Sequence, residues 1–194
     1  MLHHLHGSAI YVFMFSTKRN SPFATYMFAG WALAAVLSTG LLMEKHLTAI
    51  EPRASLTAPK IDASEEATWT ITHILSAGCP CSDRTLEGIV KHPSQPATTE
   101  QFFISGESKD WEARFAQTGR MLTALSPEEL EAKFQISGGP YLIIQDPQGS
   151  IRYRGGYGAR PYLRPDEIKD RELIAQLQAG KSPTLYPAIG CQFD

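Results

Sequence analysis

Hydrophobic positions fall into three regimes along the chain. From Phe23 to Met43, FATYMFAGWALAAVLSTGLLM carries no charged side chain. At ~1.5 Å rise per residue, a helix of about that length spans the ~30 Å hydrocarbon layer of a bilayer. Residues 23–43 are therefore expected to form one uncleaved transmembrane anchor. A cleaved secretory signal would carry a shorter apolar core followed by a small-residue cleavage site, and a soluble core helix this uniformly apolar would need cover on every side. From Glu44 to Ala67 the periodicity is lost, and Pro, Ala, Ser and charged residues mix as in a tether. Periodic segments resume near Thr68 and continue to Gly180, followed by the segment 181–194.

Within 68–180 the pattern alternates between period two and period 3.6. TWTITHILS (68–76) reads as a strand running into a Gly-Cys-Pro-Cys turn. A helix follows, with Ser82 or Asp83 as candidate caps, Leu86, Ile89 and Val90 on its buried stripe, and His92-Pro93 as its stop. TTEQFFIS (98–105) is a second strand, and residues 108–118 form a helix with Trp111 and Phe115 four apart on its core face. Ser126-Pro127-Glu128-Glu129 opens a short helix with Pro at the first helical position. YLII (141–144), the turn residues Asp146-Pro147-Gln148-Gly149 and IRYR (151–154) make a hairpin. Residues 165–179 are expected to be a helix burying Leu173, Ile174 and Leu177, closed by Gly180. A helical crossover joining parallel strands, extended by an antiparallel hairpin, gives an α/β mixed sheet with helices on its faces.

Composition narrows the functional classes. The 194 residues are 43% hydrophobic and 20% charged, so one globular domain is expected beside the anchor. A net charge of -2 provides no basic field for a phosphate backbone, and nucleic acid is not an expected partner. Lys18 and Arg19 before the apolar run, against Glu44 and Lys45 after it, place residues 1–22 in the cytoplasm and the bulk of the chain outside. Three cysteines are too few for the framework of a disulfide-rich scaffold, and an odd number cannot all pair within one monomer.

Cys79-Pro80-Cys81 lies at the junction of the first strand and first helix of the domain, where unpaired N–H groups and the helix dipole favour an anion. The thiolate is the form that attacks a disulfide. Arg84 would assist it and Asp83 oppose it. With Gly139-Pro140 ahead of YLII, these residues resemble the thioredoxin superfamily over roughly 68–180, and in particular membrane-anchored bacterial thioredoxin-like proteins, some of which carry Cys-Pro-Cys. The resemblance implies a thioredoxin-like mixed sheet flanked by helices, preceded here by one transmembrane helix and presented to the periplasm from the inner membrane. It implies thiol-disulfide exchange with Cys79 as exposed nucleophile and Cys81 as resolving thiol, and Gly139 with a cis Pro140 as the site for an extended substrate. Protein thiols and disulfides would be the substrates, a membrane or periplasmic redox protein the electron partner, and no cofactor or metal is expected.

Two features depart from the family pattern. The common motif is Cys-x-x-Cys; a Cys79–Cys81 bond would need a turned backbone, because two extended residues reach about 6.6–7.2 Å, beyond the ~4.4–6.8 Å that a disulfide spans. Gly139 stands where thioredoxins carry a larger residue. Cys191, in SPTLYPAIGCQFD, is a candidate third redox thiol, a packed free thiol, or a thiol for intermolecular pairing or metal ligation. Two other functions stay open. Thiolates at a helix start suit Cu(I), with His73 and His92 as further candidates, although thioredoxin-like copper chaperones use Cys-x-x-x-Cys. Ser76-Ala77-Gly78-Cys79 matches half of a thiol-peroxidase pattern, but Thr72 stands where that pattern has Pro. The run Arg152, Arg154, Arg160 and Arg164 with Tyr153, Tyr157 and Tyr162 reads equally as a solvated hairpin edge or a binding patch.

Overall fold

A computed structural model describes residues 22–46, 48–50, 68–106 and 109–193. Nearly all of the expected cytoplasmic segment and most of the tether lie outside the described residues. The chain divides into two units, residues 1–41 and 42–194.

Helix α1 (Pro22–His46) begins with Pro at its first position and continues three residues beyond the apolar run. Phe23, Tyr26, Phe28, Trp31 and Leu37 are all exposed. By length and composition, residues 22–41 suffice to cross a membrane.

In the second unit, β2 (Trp69–Ser76) is the central strand of a five-stranded sheet ordered β4-β3-β2-β6-β7. It pairs in parallel with β3 (Thr98–Ser105) through helix α2 (Pro80–Val90), and β3 pairs in parallel with β4 (Leu122–Leu125) through α3 (Lys109–Ala116). Helix α4 (Pro127–Phe134) then leads through β5 (Gly138–Gly139) to β6 (Tyr141–Gln145), which runs antiparallel to β2 and forms the hairpin with β7 (Ile151–Gly155). Helix α5 (Asp170–Gln178) follows. This is the mixed α/β sheet with flanking helices of the thioredoxin-like fold.

Strand alternation divides the core between two faces. Ile71, Leu75, Phe102, Ile104, Leu142 and Ile144 pack with Leu86 and Ile89 of α2, Trp111 and Phe115 of α3, and Leu173, Ile174 and Leu177 of α5. Ile74, Phe103, Tyr141 and Ile143 pack on the other face with Leu130 and Phe134 of α4 and with Ile50 and Ala188. Helix α4 starts as its sequence predicts: the Ser126 hydroxyl accepts from the Glu129 N–H while the Glu129 carboxylate accepts from the Ser126 N–H.

Two local expectations are corrected. Helix α5 begins at Asp170, because Pro165–Glu167 forms a separate 3₁₀ turn in which the Glu167 carboxylate accepts from the Arg164 N–H. The tether is structured in part: Thr48–Ala49 forms β1, paired antiparallel with β8 (Ile189–Gln192) of the segment 181–194. Of the two readings of the basic run, the structure favours the solvated edge, with its exposed arginines paired to carboxylates. Arg152 pairs with Asp146, Arg160 and Arg164 both pair with Glu167, Arg154 donates to the Phe134 carbonyl, and Tyr153 and Tyr157 are core residues.

Two polar features lie inside the sheet layer. Arg120 reaches the Glu100 carboxylate at 3.2 Å, both side chains being nearly buried, and donates to the His92 carbonyl at 2.8 Å, joining the edge of the sheet to the end of α2. His73, fully buried at the centre of β2, stacks on Phe102 and lies 2.9 Å from the Tyr157 hydroxyl through Nδ1. That hydroxyl donates to the Tyr141 carbonyl, so the hydrogen-bond network assigns the imidazole proton to Nδ1 and leaves Nε2 bare.

Burial, with the nearby Arg120 charge, pushes the His73 pKa down from 6.5 to about 3. The folded chain therefore refuses a proton that the unfolded chain takes up below pH 6.5, so the stability held above that pH drains as the pH falls toward 3. For the full chain in detergent, the urea unfolding free energy should drop with a slope approaching about 1.4 kcal/mol per pH unit from this residue. His73→Leu should flatten that part of the profile; an unchanged slope in the variant would exclude His73 as its source.

Candidate active site at the start of helix α2

The site is built where β2 ends. Gly78, at φ +71, turns the chain from Ser76 into Cys79, which has extended backbone angles and serves as the N-cap of α2 with Pro80 at the first helical position. The Cys79 carbonyl accepts the first helical bond, from the Asp83 N–H at 3.0 Å. Neither expected cap residue caps the helix. The buried Ser82 hydroxyl accepts from the Ser76 N–H at 3.0 Å, and the Asp83 carboxylate accepts from the Trp111 indole at 2.9 Å. These side chains lock the strand–helix corner rather than its first turn.

Gly139-Pro140 meets this corner with a cis peptide bond, and the Cys79 Sγ lies 3.8 Å from the Gly139 carbonyl oxygen. The structure thus brings together four of the five site residues read from the sequence as one redox and substrate site, and adds the fifth. Cys191 forms a disulfide with Cys79 across 112 positions of sequence, with a Cα–Cα distance of 6.0 Å, inside the range that a disulfide spans. Cys81 is a buried free thiol, and the three cysteines form one cluster.

The expectation of an exposed Cys79 is corrected: its side chain is 1% exposed. The cover is β8, which pairs antiparallel with β5 so that Cys191 stands opposite Gly139 and Gln192 opposite Gly138. Burial raises the Cys81 thiol above its ordinary value, and the Tyr162 N–H and the Arg84 guanidinium offset only part of that. Arg84 does assist the thiolate, as read from the sequence, but desolvation outweighs it. A small cavity of about 20 Å³, with room for roughly one water, lies beside Cys81 and is lined also by Thr85, Pro140, Tyr157, Tyr162 and Ile189. Among the described residues, no group of three His, Cys, Asp or Glu side chains is arranged to hold a metal ion.

Sequence reasoning missed Gly138 and Gly190. A Cβ on Gly190 would run into the Gly139 carbonyl and lie 2.7 Å from Pro140 Cδ; one on Gly138 would run into the Cys191 carbonyl. Gly-Gly before Pro140 and Gly before Cys191 were the available signals, and only pairing of the two segments gives them meaning.

No family model and no curated protein matches the sequence. Among solved structures, a hypothetical protein from Sinorhizobium meliloti 1021 is similar at 16% identity, covering 77% of this chain and 97% of its own, with a TM-score of 0.55. StoA from Bacillus subtilis is similar at 14% identity over 63% of this chain and 93% of its own, with a TM-score of 0.40. The thioredoxin domain of a thiol-disulfide oxidoreductase from Bacteroides vulgatus is similar at 17% identity over 56% of this chain and 79% of its own, with a TM-score of 0.36. At these identities the likeness is one of fold, and the first of the three carries it.

Alkylation of the denatured, non-reduced full chain should label Cys81 alone, and all three cysteines should be labelled after reduction. Peptide mapping should recover Cys79 joined to Cys191; a Cys79–Cys81 peptide as the resting species would contradict the arrangement described.

Proposed function

We propose that this chain is a membrane-anchored thiol-disulfide oxidoreductase whose domain works outside the cytoplasmic membrane. The observation that carries the reading is the gathering of Cys79, Cys81 and Cys191 at the start of α2, against the cis Gly139-Pro140 bond. Cys79, at the helix N-cap, is the position best placed for a nucleophile: the unpaired N–H groups of the first turn and the helix dipole favour its thiolate.

In the reducing direction, the Cys79 thiolate attacks one sulfur of a substrate disulfide. A mixed disulfide forms and the other substrate sulfur leaves as a thiolate. Attack of the Cys81 thiolate on the Cys79 Sγ then breaks the mixed disulfide, so that the enzyme dithiol ends oxidised and the substrate has gained two electrons. The reverse sequence oxidises a substrate dithiol. Gly139 and Pro140 present the backbone edge on which an extended substrate lies, and proteins bearing thiols or disulfides are the substrate class. Helix α1 supports the anchor by its length and composition, and the charges around it favour a periplasmic domain with a redox partner in the membrane or periplasm.

Exchange with a disulfide-bonded peptide should fall to the uncatalysed rate in Cys79→Ser, while Cys81→Ser/Cys191→Ser should accumulate the mixed disulfide for detection by intact mass. Retention of full exchange in Cys79→Ser would overturn the assignment. In membrane fractionation of expressing cells, the chain should remain with the membranes after salt washing, and protease should reach the domain in spheroplasts.

A further inference from the structure

While β8 is seated, no external substrate reaches Cys79. The strand lies along β5, immediately before the cis Pro140, and its cysteine is bonded to Cys79. Backbone pairing with an extended strand, together with a sulfur–sulfur bond to Cys79, is the set of contacts that a polypeptide substrate would make at this edge during exchange. The geometry points to β8 as a built-in substrate: an intramolecular occupant of the peptide-binding edge that must be displaced before Cys79 can act, and a template for the polypeptide that replaces it. This deepens the function proposed above and rests on it.

Three observations argue that the strand is displaceable. Its ladders with β1 and with β5 are each only two residues long, so few backbone hydrogen bonds hold it. The bonds around it, from the Ile50 N–H to the Ala188 carbonyl and from the Phe193 N–H to the Ser137 carbonyl, are likewise single ones. Cys81 lies free in the same cluster. Its thiolate can attack the Cys79 Sγ, forming a Cys79–Cys81 bond and breaking Cys79–Cys191. Cys191 leaves as a thiolate and takes up the proton that Cys81 released. One disulfide replaces another without net oxidation, and no external reductant is required.

The template also specifies the ligand. The position before the cysteine approaches Gly139 and Pro140 so closely that it admits no side chain, since a Cβ on Gly190 would strike the Gly139 carbonyl. The polypeptide that fits this edge is an extended segment in which glycine precedes the reactive cysteine.

The test uses the full chain, reduced and held in detergent, with glutathione disulfide as the probe and acid-quenched peptide mapping of Cys79 as the readout. Gly190→Val should seat β8 poorly, so that Cys79 is modified about tenfold faster than in the natural sequence, the size expected when an opening step is relieved of on the order of one net hydrogen bond. A chain ending at Pro187 should behave alike if Gly190→Val fails to fold. On that shortened chain, a peptide with the sequence of residues 188–193, activated at its cysteine, should react about tenfold faster than its Gly→Val counterpart, which the edge would exclude by the same contact. Equal rates in the natural sequence and the variants overturn the built-in substrate but leave exchange at Cys79 standing. Failure of Cys79 to react in any of them overturns the proposed function as well. Loss of a cooperative urea transition in both variants also overturns the inference, because a strand the fold requires is not displaceable.

Discussion

Strands β5 and β8 approach so closely that a Cβ on Gly138 would strike the Cys191 carbonyl and one on Gly190 the Gly139 carbonyl, and the state of the site follows from that contact. Seating β8 there sets Cys191 against Cys79, buries both sulfurs and leaves Cys81 as the thiol. The same β5 residues carry the cis bond to Pro140 and a carbonyl 3.8 Å from the Cys79 Sγ. One short stretch of backbone therefore governs which sulfur Cys79 is bonded to.

The scaffold is organised to hold that stretch in place. Strand β2 is buried along almost its whole length, and its C-terminal end delivers Cys79, with Ser82 and Asp83 each tied to a partner across the corner. On its other side β2 registers with β6, which starts one residue after Pro140 and so keeps the cis bond at the level of the β2–α2 turn. The His73–Tyr157–Tyr141 chain of hydrogen bonds crosses the sheet, and Tyr157 also lines the small cavity beside Cys81. The two hydrogen bonds of this chain restrict how the layers can slide, because any slip would break them inside the core.

Much of the sheet was legible in the sequence. The strand at 98–105, the YLII hairpin, the Ser126-Pro127 helix start and the buried faces of α2 and α5 depend on neighbours within a few residues, so periodicity and capping chemistry reveal them. The elements that were not legible are the short ones. Strands β1 and β5 are two residues each and β4 and β8 four, too short for alternation to register. The caps misread at Ser82 and Asp83 show the complementary limit: a side chain with a local option takes a tertiary partner where burial makes the bond count for more.

For the site, the Cys-Pro-Cys turn after a strand and the Gly-Pro ahead of a hairpin marked Cys79, Cys81, Gly139 and Pro140, because each needs only its own segment to be recognisable. Sequence by itself thus determined the class of fold and where Cys79 and Cys81 lie in it. The choice between Cys81 and Cys191 as the partner bonded to Cys79 belonged to the tertiary structure. Cys191 lies 112 residues from Cys79, and it faces that thiol because Gly138 and Gly190 let β8 settle against β5, a contact between segments that no local pattern encodes.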